Sequence, residues 1–226
     1  MTVQGTLIVL RHGQTDYNKQ RLMTGQRDVP LTALGEEQAR EAGALIKHIH
    51  IDKAYSSPLS RAFNTASLAL KAAGQTVTIE KRAAIIEADA GQFAGRNIDT
   101  DPDILAFGRV YAIPMPGGES DKDVVARVQK FYDEEVLPAL ARGENIMLVC
   151  HSGTMHALDV VLGLMKPPTD DQQLVTRRIP NASPLVCEYE DGVMKNHYFI
   201  TNPKAPAPAN QNNAAKKNPN KYRPEF

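Results

Sequence analysis

Two aliphatic runs, far apart in the chain, end in the same way. Leu7-Ile8-Val9-Leu10 gives way to Arg11-His12-Gly13, and Ile146-Met147-Leu148-Val149-Cys150 gives way to His151-Ser152-Gly153. An unbroken aliphatic run of this length reads as a strand buried on both faces, as in a parallel sheet. Each histidine then emerges at the carboxyl end of its strand, where open α/β sheets bind ligands. If the two strands are neighbours, both imidazoles converge on one spot.

The rest of the chain alternates short aliphatic segments with longer ones of helical period, which implies βαβ units. Thr32 caps a helix in which Leu34, Gln38, Ala42, Leu45, Ile46 and Ile49 recur at helical spacing, with Glu36, Glu37, Arg40 and Glu41 toward water. Lys53-Ala54-Tyr55 forms a short strand ending in Ser56-Ser57-Pro58, and Pro58 suits the first turn of a helix that carries Arg61 and runs to Gly74. A strand over Thr76 to Glu80 follows. Residues 83–120 are irregular and read as an active-site cover holding one short helix. Asp121 caps a long helix that presents Val124, Val125, Val128, Phe131, Tyr132 and Leu137 to a core and ends near Gly143. Leu185 to Tyr189 and His197 to Ile200 read as sheet-edge strands around an Asp191-Gly192 turn. A catalytic domain over residues 1–202 is then followed, at 203–226, by a Pro-, Asn-, Ala- and Lys-rich tail that reads as disordered.

Composition narrows the partners. The chain has 226 residues, enough for a core without staples, and its 26 Lys plus Arg balance 26 Asp plus Glu. That balance gives no reason to expect nucleic acid or an anionic membrane surface, so any positive field is local. Cys150 and Cys187 lie in apolar strand-like runs and suit reduced thiols in a cytoplasmic protein. The apolar stretch near the start, interrupted by Arg11, is too short for a signal-peptide core or a membrane span, so the chain reads as soluble and cytoplasmic.

Arg61, placed after a third strand end, can join Arg11, His12 and His151. Two guanidiniums and two imidazoles around one point repel one another unless an anion fills the gap. Arginine presents paired donors that match phosphate oxygens, and the helix start after His151 adds backbone N–H groups. The neighbouring cations also disfavour imidazolium, leaving a neutral nitrogen able to attack phosphorus. Charge stabilisation by such groups needs no metal.

A longer set of residues resembles a known family. Leu10-Arg11-His12-Gly13-Gln14-Thr15 with Asn18, Thr24-Gly25, Leu31-Thr32-x-x-Gly35, Tyr55-Ser56-Ser57-Pro58-Leu59-x-Arg61-Ala62-x-x-Thr65-Ala66, Ile86-Glu87 with Gly91 and Gly95, Pro116-Gly117-Gly118-Glu119-Ser120 and Val149-Cys150-His151-Ser152-Gly153 are similar to the signature of the histidine phosphatase superfamily, in its phosphoglycerate-mutase-like branch. The resemblance implies a three-layer α/β/α sandwich with a mostly parallel central sheet. It implies that His12 is transiently phosphorylated, that Arg11, Arg61 and His151 hold the phosphoryl group, and that Asn18, Thr24, Gly25 and Ser152 contribute to its pocket. Glu87 would protonate the leaving group and then activate water. The spacing of the family pattern selects Glu87 over Asp89.

Phosphatase and mutase use the same phosphohistidine and differ in the acceptor. Thr24 to Leu31 and Ile179 to Tyr189 look like the corresponding stretches of bisphosphoglycerate-dependent mutases, for which a bisphosphoglycerate primer would be the one cofactor. Those enzymes carry a longer insertion between the positions of Glu87 and Glu119, with a neighbouring arginine pair. Here Arg96 and Arg109 are isolated and Gln92 to Met115 is short, which leaves Arg82, Arg96 or Arg109 folding back as substitutes for that pair. The expectation is therefore a phosphatase of a small phosphomonoester with no cofactor, with the mutase as alternative and an inactive phospho-ligand-binding member as second alternative. A homo-oligomer is compatible with the sequence.

Other signals are declined. His48 and His50 lack acidic or cysteine partners for a metal. Asp99, Asp101 and Asp103 mimic the start of a calcium loop, but Ile104 and Val110 stand where glycine and glutamate are needed. His156 reads as a packing or surface residue, and the tail cations Lys216, Lys217, Lys221 and Arg223 as solvated.

Overall fold

The computed structural model describes residues 2–174 and 176–200; the expected disordered tail lies outside them. The chain runs through β1 (Gln4–Arg11), α1 (Asp16–Gln20), α2 (Ala33–Ile46), β2 (Lys53–Ser56), α3 (Ser60–Ala72) and β3 (Ile79–Lys81). It continues through α4 (Pro102–Phe107), α5 (Asp121–Phe131), α6 (Leu137–Ala141), β4 (Ile146–Cys150), α7 (Ser152–Val161), β5 (Leu185–Glu190) and β6 (Val193–Phe199). The strands form one six-stranded sheet in the order β3-β2-β4-β1-β5-β6. β3, β2, β4 and β1 pair in parallel, whereas β5 and β6 add antiparallel pairings at one side.

The aliphatic runs do what their composition requires. Along β1, Leu7 and Val9 enter one core while Ile8 and Leu10 enter the other. Along β4, Ile146, Leu148 and Cys150 face the first, and Met147 and Val149 the second. Val124, Val128, Met155 and Leu158 from α5 and α7 cover the first face. Ala42, Ile46, Ala62 and Ala66 from α2 and α3 cover the second. The mostly parallel three-layer sandwich is thus present, and the pairing of Arg11 with Cys150 makes the two histidine-bearing strand ends neighbours.

Several local expectations shift. Ser120, not Asp121, caps α5, its hydroxyl taking the Asp123 N–H while Asp123 returns the bond in a capping box. Pro58 lies two residues ahead of α3, whose cap is Leu59. The buried face of α2 uses Gly35, Ala39, Ala42, Gly43 and Ile46; Leu34 is 47 % exposed. Small residues win that face because α2 packs closely on α3: a side-chain carbon at Gly43 would strike the Ala69 carbonyl. The expected long helix is interrupted by a π-helical turn at Tyr132–Val136, just ahead of Pro138, whose missing N–H cannot bond back into the preceding turn. β5 is an inner strand between β1 and β6, so only β6 forms that edge. β6 begins at Val193, because Asp191 and Gly192 both take positive φ and make a two-residue hairpin turn. Its exposed Lys195 and Asn196 hide it from a search for apolar runs.

The irregular segment holds α4, as expected, with 3₁₀ turns at Ala83–Ile85 and Gly91–Phe93. Cys150 and Cys187 are both free and buried. β1 lies between their strands, and their register positions on it, Arg11 and Leu7, are four residues apart, a separation of about 16 Å that no disulfide spans. Burial pushes the Cys187 thiol up to about 12 and the Cys150 thiol higher still.

Candidate active site

The wall of the site begins at the end of β1. The His12 amide donates to the Cys150 carbonyl at 3.0 Å, extending the ladder one residue beyond the strand. The His12 ring is 3 % exposed, and Nδ1 donates to the Gly13 carbonyl at 2.7 Å. Since a carbonyl only accepts, that bond puts the proton of the neutral ring on Nδ1 and leaves Nε2 with its lone pair. Burial, then the positive charges of Arg11 and Arg61, hold the imidazole well below its ordinary pKa.

Backbone packing fixes the loop behind this ring. The Gly13 N–H donates to Thr65 Oγ1 at 2.9 Å, and the Thr65 hydroxyl donates to the Arg61 carbonyl at 2.7 Å, tying the loop to α3. On the other side, a side-chain carbon at Gly13 would run into the Gly35 carbonyl, and one at Gly35 into the Gln14 carbonyl. Asn181 Nδ2 donates to the His12 carbonyl at 2.8 Å and to Asn18 Oδ1 at 3.3 Å. Asn18 also completes the capping box of α1 with Thr15.

His151, Arg61 and Ser57 form a second, deeper tier. His151 and Arg61 are both fully buried. Arg61 Nε donates to His151 Nδ1 at 3.2 Å, so the proton of the neutral His151 ring sits on Nε2 and points to Ser57 Oγ at 2.7 Å. The ring centroids of His12 and His151 are 5.1 Å apart. Burial, then Arg61, His12 and Arg11, keep the His151 pKa well below its ordinary value. Arg61 also donates to the carbonyls of Arg27 at 2.7 Å and Gly25 at 2.9 Å. A guanidinium has five N–H groups, so these bonds leave two for a further acceptor.

Arg11 is less satisfied. One terminal nitrogen donates to the Ile179 carbonyl at 2.7 Å, while its buried Nε has no partner among the described residues. Burial is the main cause that lowers its pKa, with Arg61 and Arg178 adding repulsion and Glu87 opposing them; an arginine in this position stays charged. A buried donor left without an acceptor costs about 1–3 kcal/mol, so an anion is favoured there.

Glu87 faces this cluster from the irregular segment. Its Oε1 accepts from the Ala88 N–H at 2.9 Å and from the Gly153 N–H at 3.1 Å, at the start of α7. A side-chain carbon at Gly153 would meet that same oxygen and displace the Glu87 carboxylate. Its backbone is bound as well: Gln26 and Arg127 donate to the Glu87 carbonyl, and Thr154 to that of Ile86.

One cavity of about 1390 Å³ joins these groups. Arg11, His12, Asn18, Thr24, Gly25, Glu87 and Ser152 line it, whereas Arg61 and His151 stand behind the lining and act on it through their hydrogen bonds. His156 Nε2 donates to the Arg177 carbonyl at 2.9 Å, and its ring forms part of the cavity wall as well as packing. Ser57, Thr65, Asn181 and Arg127 are the positioning groups that motif reading left without a role. Ser57 carries a usable signal, because it follows β2 as His12 and His151 follow β1 and β4; Thr65, Asn181 and Arg127 act on the site through backbone groups, which have no sequence pattern.

Among the described residues no group of His, Cys, Asp and Glu is arranged to hold a metal ion. The acidic run is occupied by arginines: Asp99 pairs with Arg21, and Asp101 and Asp103 with Arg96. No described helix is long and apolar enough to cross a membrane.

Comparison with known proteins agrees with this arrangement. The family model of the histidine phosphatase superfamily, branch 1, matches residues 7–199. A 2,3-bisphosphoglycerate-dependent phosphoglycerate mutase of Nitrobacter hamburgensis is 35 % identical over 189 residues, covering 80 % of this chain and 89 % of that one. A phosphoglycerate mutase structure from Bacillus anthracis superposes with a TM-score of 0.71 at 27 % identity, covering 86 % of this chain and 92 % of that one. A mycobacterial glucosyl-3-phosphoglycerate phosphatase solved with VO3 gives 0.66 at 31 % identity, covering 80 % and 92 %. Enzymes of this superfamily act without a metal ion. With strand-end histidines, buried arginines and a matching model over nearly all the described residues, the chain belongs to the histidine phosphatase superfamily, branch 1, and is an enzyme.

Proposed function

We propose that the protein is a phosphatase of small phosphomonoesters that works through a phosphohistidine on His12. The observation that carries this reading is the His12 ring on the cavity wall, its Nδ1 bonded to the Gly13 carbonyl so that Nε2 keeps its lone pair, with Arg11 on the same wall. Nε2 attacks phosphorus, forming the N–P bond as the ester P–O bond breaks. Glu87 gives its proton to the departing oxygen, so the alcohol leaves neutral. Arg11 stabilises the equatorial oxygens from the cavity wall and Arg61 adds its positive charge from behind it, with His151 holding Arg61 in place. In the second half, the Glu87 carboxylate takes a proton from water, the oxygen attacks phosphorus, and orthophosphate leaves with the original His12 restored.

Hydrolysis is favoured over mutase action by what the other arginines do. Arg82 pairs with Glu80 and Glu135, and Arg96 with Asp101 and Asp103. Arg109 reaches the cavity wall but is held by the buried Asp121. None of the three is free to grip a second acidic group of a retained bisphosphate. The mutase remains a second reading because curated relatives at 35 % identity bear that name. Arg178, exposed on the cavity wall with no acidic partner among the described residues, is the side chain on which it would depend. A silent phospho-ligand binder fits less well, since nucleophile, arginines and Glu87 are all present. A cytoplasmic location belongs to the proposal and rests on the two buried, unpaired cysteines.

The test is incubation with a phosphorus-labelled phosphomonoester panel that includes phosphoglycerates. The expected result is acid-labile label on the protein, lost in His12→Ala, with release of orthophosphate. Efficient interconversion of phosphoglycerates with little orthophosphate would establish the mutase instead; binding with neither label nor turnover would establish the binder.

A further inference from the structure

Arg127 lies on α5, outside the cavity lining, yet its guanidinium is spent almost entirely on the segment that carries Glu87. One terminal nitrogen donates to the Ala84 carbonyl at 2.7 Å and the other to the Glu87 carbonyl at 3.3 Å. The same group makes a two-pronged pair with Glu119, Nε to Oε1 at 2.9 Å and a terminal nitrogen to Oε2 at 3.2 Å. Glu119 passes the grip on: its Oε2 accepts the Asp89 N–H at 2.8 Å, and its own N–H donates to the Asp89 carbonyl at 2.9 Å. The segment is therefore held at Ala84, Glu87 and Asp89, on both sides of the carboxyl-bearing residue. The far end of the Glu87 side chain bonds to Gly153 at the start of α7, which packs against α5. Arg127 thus fixes the base of the Glu87 side chain to the same two-helix unit that receives its carboxylate.

We propose that Arg127 is a positioning residue for proton transfer by Glu87, acting together with Glu119. The inference rests on the phosphatase reading in that Glu87 must be the proton donor. A fork is needed because two carbonyls and a carboxylate must be bound in one plane, which a lysine ammonium cannot do. In the first step the Glu87 proton goes to the ester oxygen as the P–O bond breaks. A displaced carboxyl leaves that oxygen to depart as an anion. The loss should therefore depend on the leaving group: large for an alkoxide, small for an ion that is stable on its own.

The test compares kcat/KM, which reports the first step, for p-nitrophenyl phosphate, phenyl phosphate and an alkyl phosphate. Arg127→Gln is expected to lose about tenfold or more on the alkyl phosphate, a part of the 10²–10⁴ supplied by general acid catalysis, and about threefold or less on p-nitrophenyl phosphate. Arg127→Lys should show the same selectivity, more weakly, and Glu87→Gln the same selectivity, more strongly. The double variant Arg127→Gln/Glu87→Gln should be no slower on the alkyl phosphate than Glu87→Gln alone, since both act at one step. Equal losses on all three substrates, no loss, or additive losses in the double variant would overturn the proposal. If Arg127→Gln does not fold, Arg127→Lys and Glu119→Gln carry the same comparison. A wild-type protein that forms no phosphohistidine and hydrolyses none of these esters refutes the phosphatase reading itself, whereas a working enzyme with uniform losses refutes only the role of Arg127.

Discussion

The two sides of the cavity are built by different means. The cationic side stands on the ends of adjacent parallel strands, where the sheet's own ladder places His12 against Cys150 and Ser57 against the Val149 carbonyl. The acidic side stands on an irregular segment, where Glu87 is held by side chains from distant parts of the chain, among them Arg127 and Gln26. On one side position follows from register; on the other it follows from a handful of separate hydrogen bonds. On the proposed mechanism, the group that attacks phosphorus is therefore fixed by the core of the fold, and the group that serves the leaving side of the substrate by separate contacts outside that core.

The sharpest way to break this comparison is to remove one group from each side. His12→Ala should cost about 10⁵-fold or more in turnover of any substrate, because the covalent route is lost. Glu87→Gln should cost about 10²–10⁴-fold in kcat with little change in binding. Steady-state kinetics on an alkyl phosphate measures both, and equal losses would mean that the two sides are not separable. Anion binding comes next. Saturating orthophosphate or vanadate at about 100 times its Kd should stabilise the protein by about 2.7 kcal/mol, which is several degrees in Tm. Replacing Arg11 with Gln should remove most of that shift, and replacing Glu87 with Gln should not.

A smaller effect follows from pH. Because His12 and His151 have folded-state pKa values well below the ordinary one, the unfolded chain takes up protons that the native protein refuses as pH falls below about 6.5. Their contribution to stability is complete above that value and is lost as pH drops toward the depressed folded values, by about 1 kcal/mol per histidine per pH unit. Urea midpoints at several pH values should show it, and His12→Asn should flatten the slope. Smallest of all is the difference in local opening. Amides of β1 and β4 should exchange with solvent only on global unfolding, while those of residues 84–89 exchange through a cheaper opening. Equal protection of both would show the acidic side to be as firmly built as the cationic one.

What could be read from the sequence divides along the same line. The strands of Leu7 to Leu10 and Ile146 to Cys150, and the convergence of their histidines, follow from apolar runs and their ends. The cap at Thr32 follows from local chemistry and is present, with Gly35 donating to its hydroxyl. The cap of α5 moved by one residue, because Ser120 and Asp123 complete a box that Asp121 cannot. Only the second half of β6 is legible as a strand, because exposed Lys195 and Asn196 break the apolar pattern of its first half. Glu87 came from family spacing alone, and nothing local distinguishes it from Asp89. Its setting depends on Arg127, forty residues away, bonding to a backbone carbonyl that looks the same at every position.

The contact between Gly13 and Gly35 carries a lesson about variation in this chain. Gly35 belongs to the first turn of α2, a helix that supplies no group to the phosphoryl cluster. Even so, one added methyl there must displace the loop that begins at His12, because its neighbour is the Gln14 carbonyl and not a yielding side chain. The position of the His12 ring thus depends on the absence of side chains at Gly13, its neighbour in the chain, and at Gly35 on α2. Gly35→Ala should therefore disturb the loop that begins at His12 through backbone contact alone.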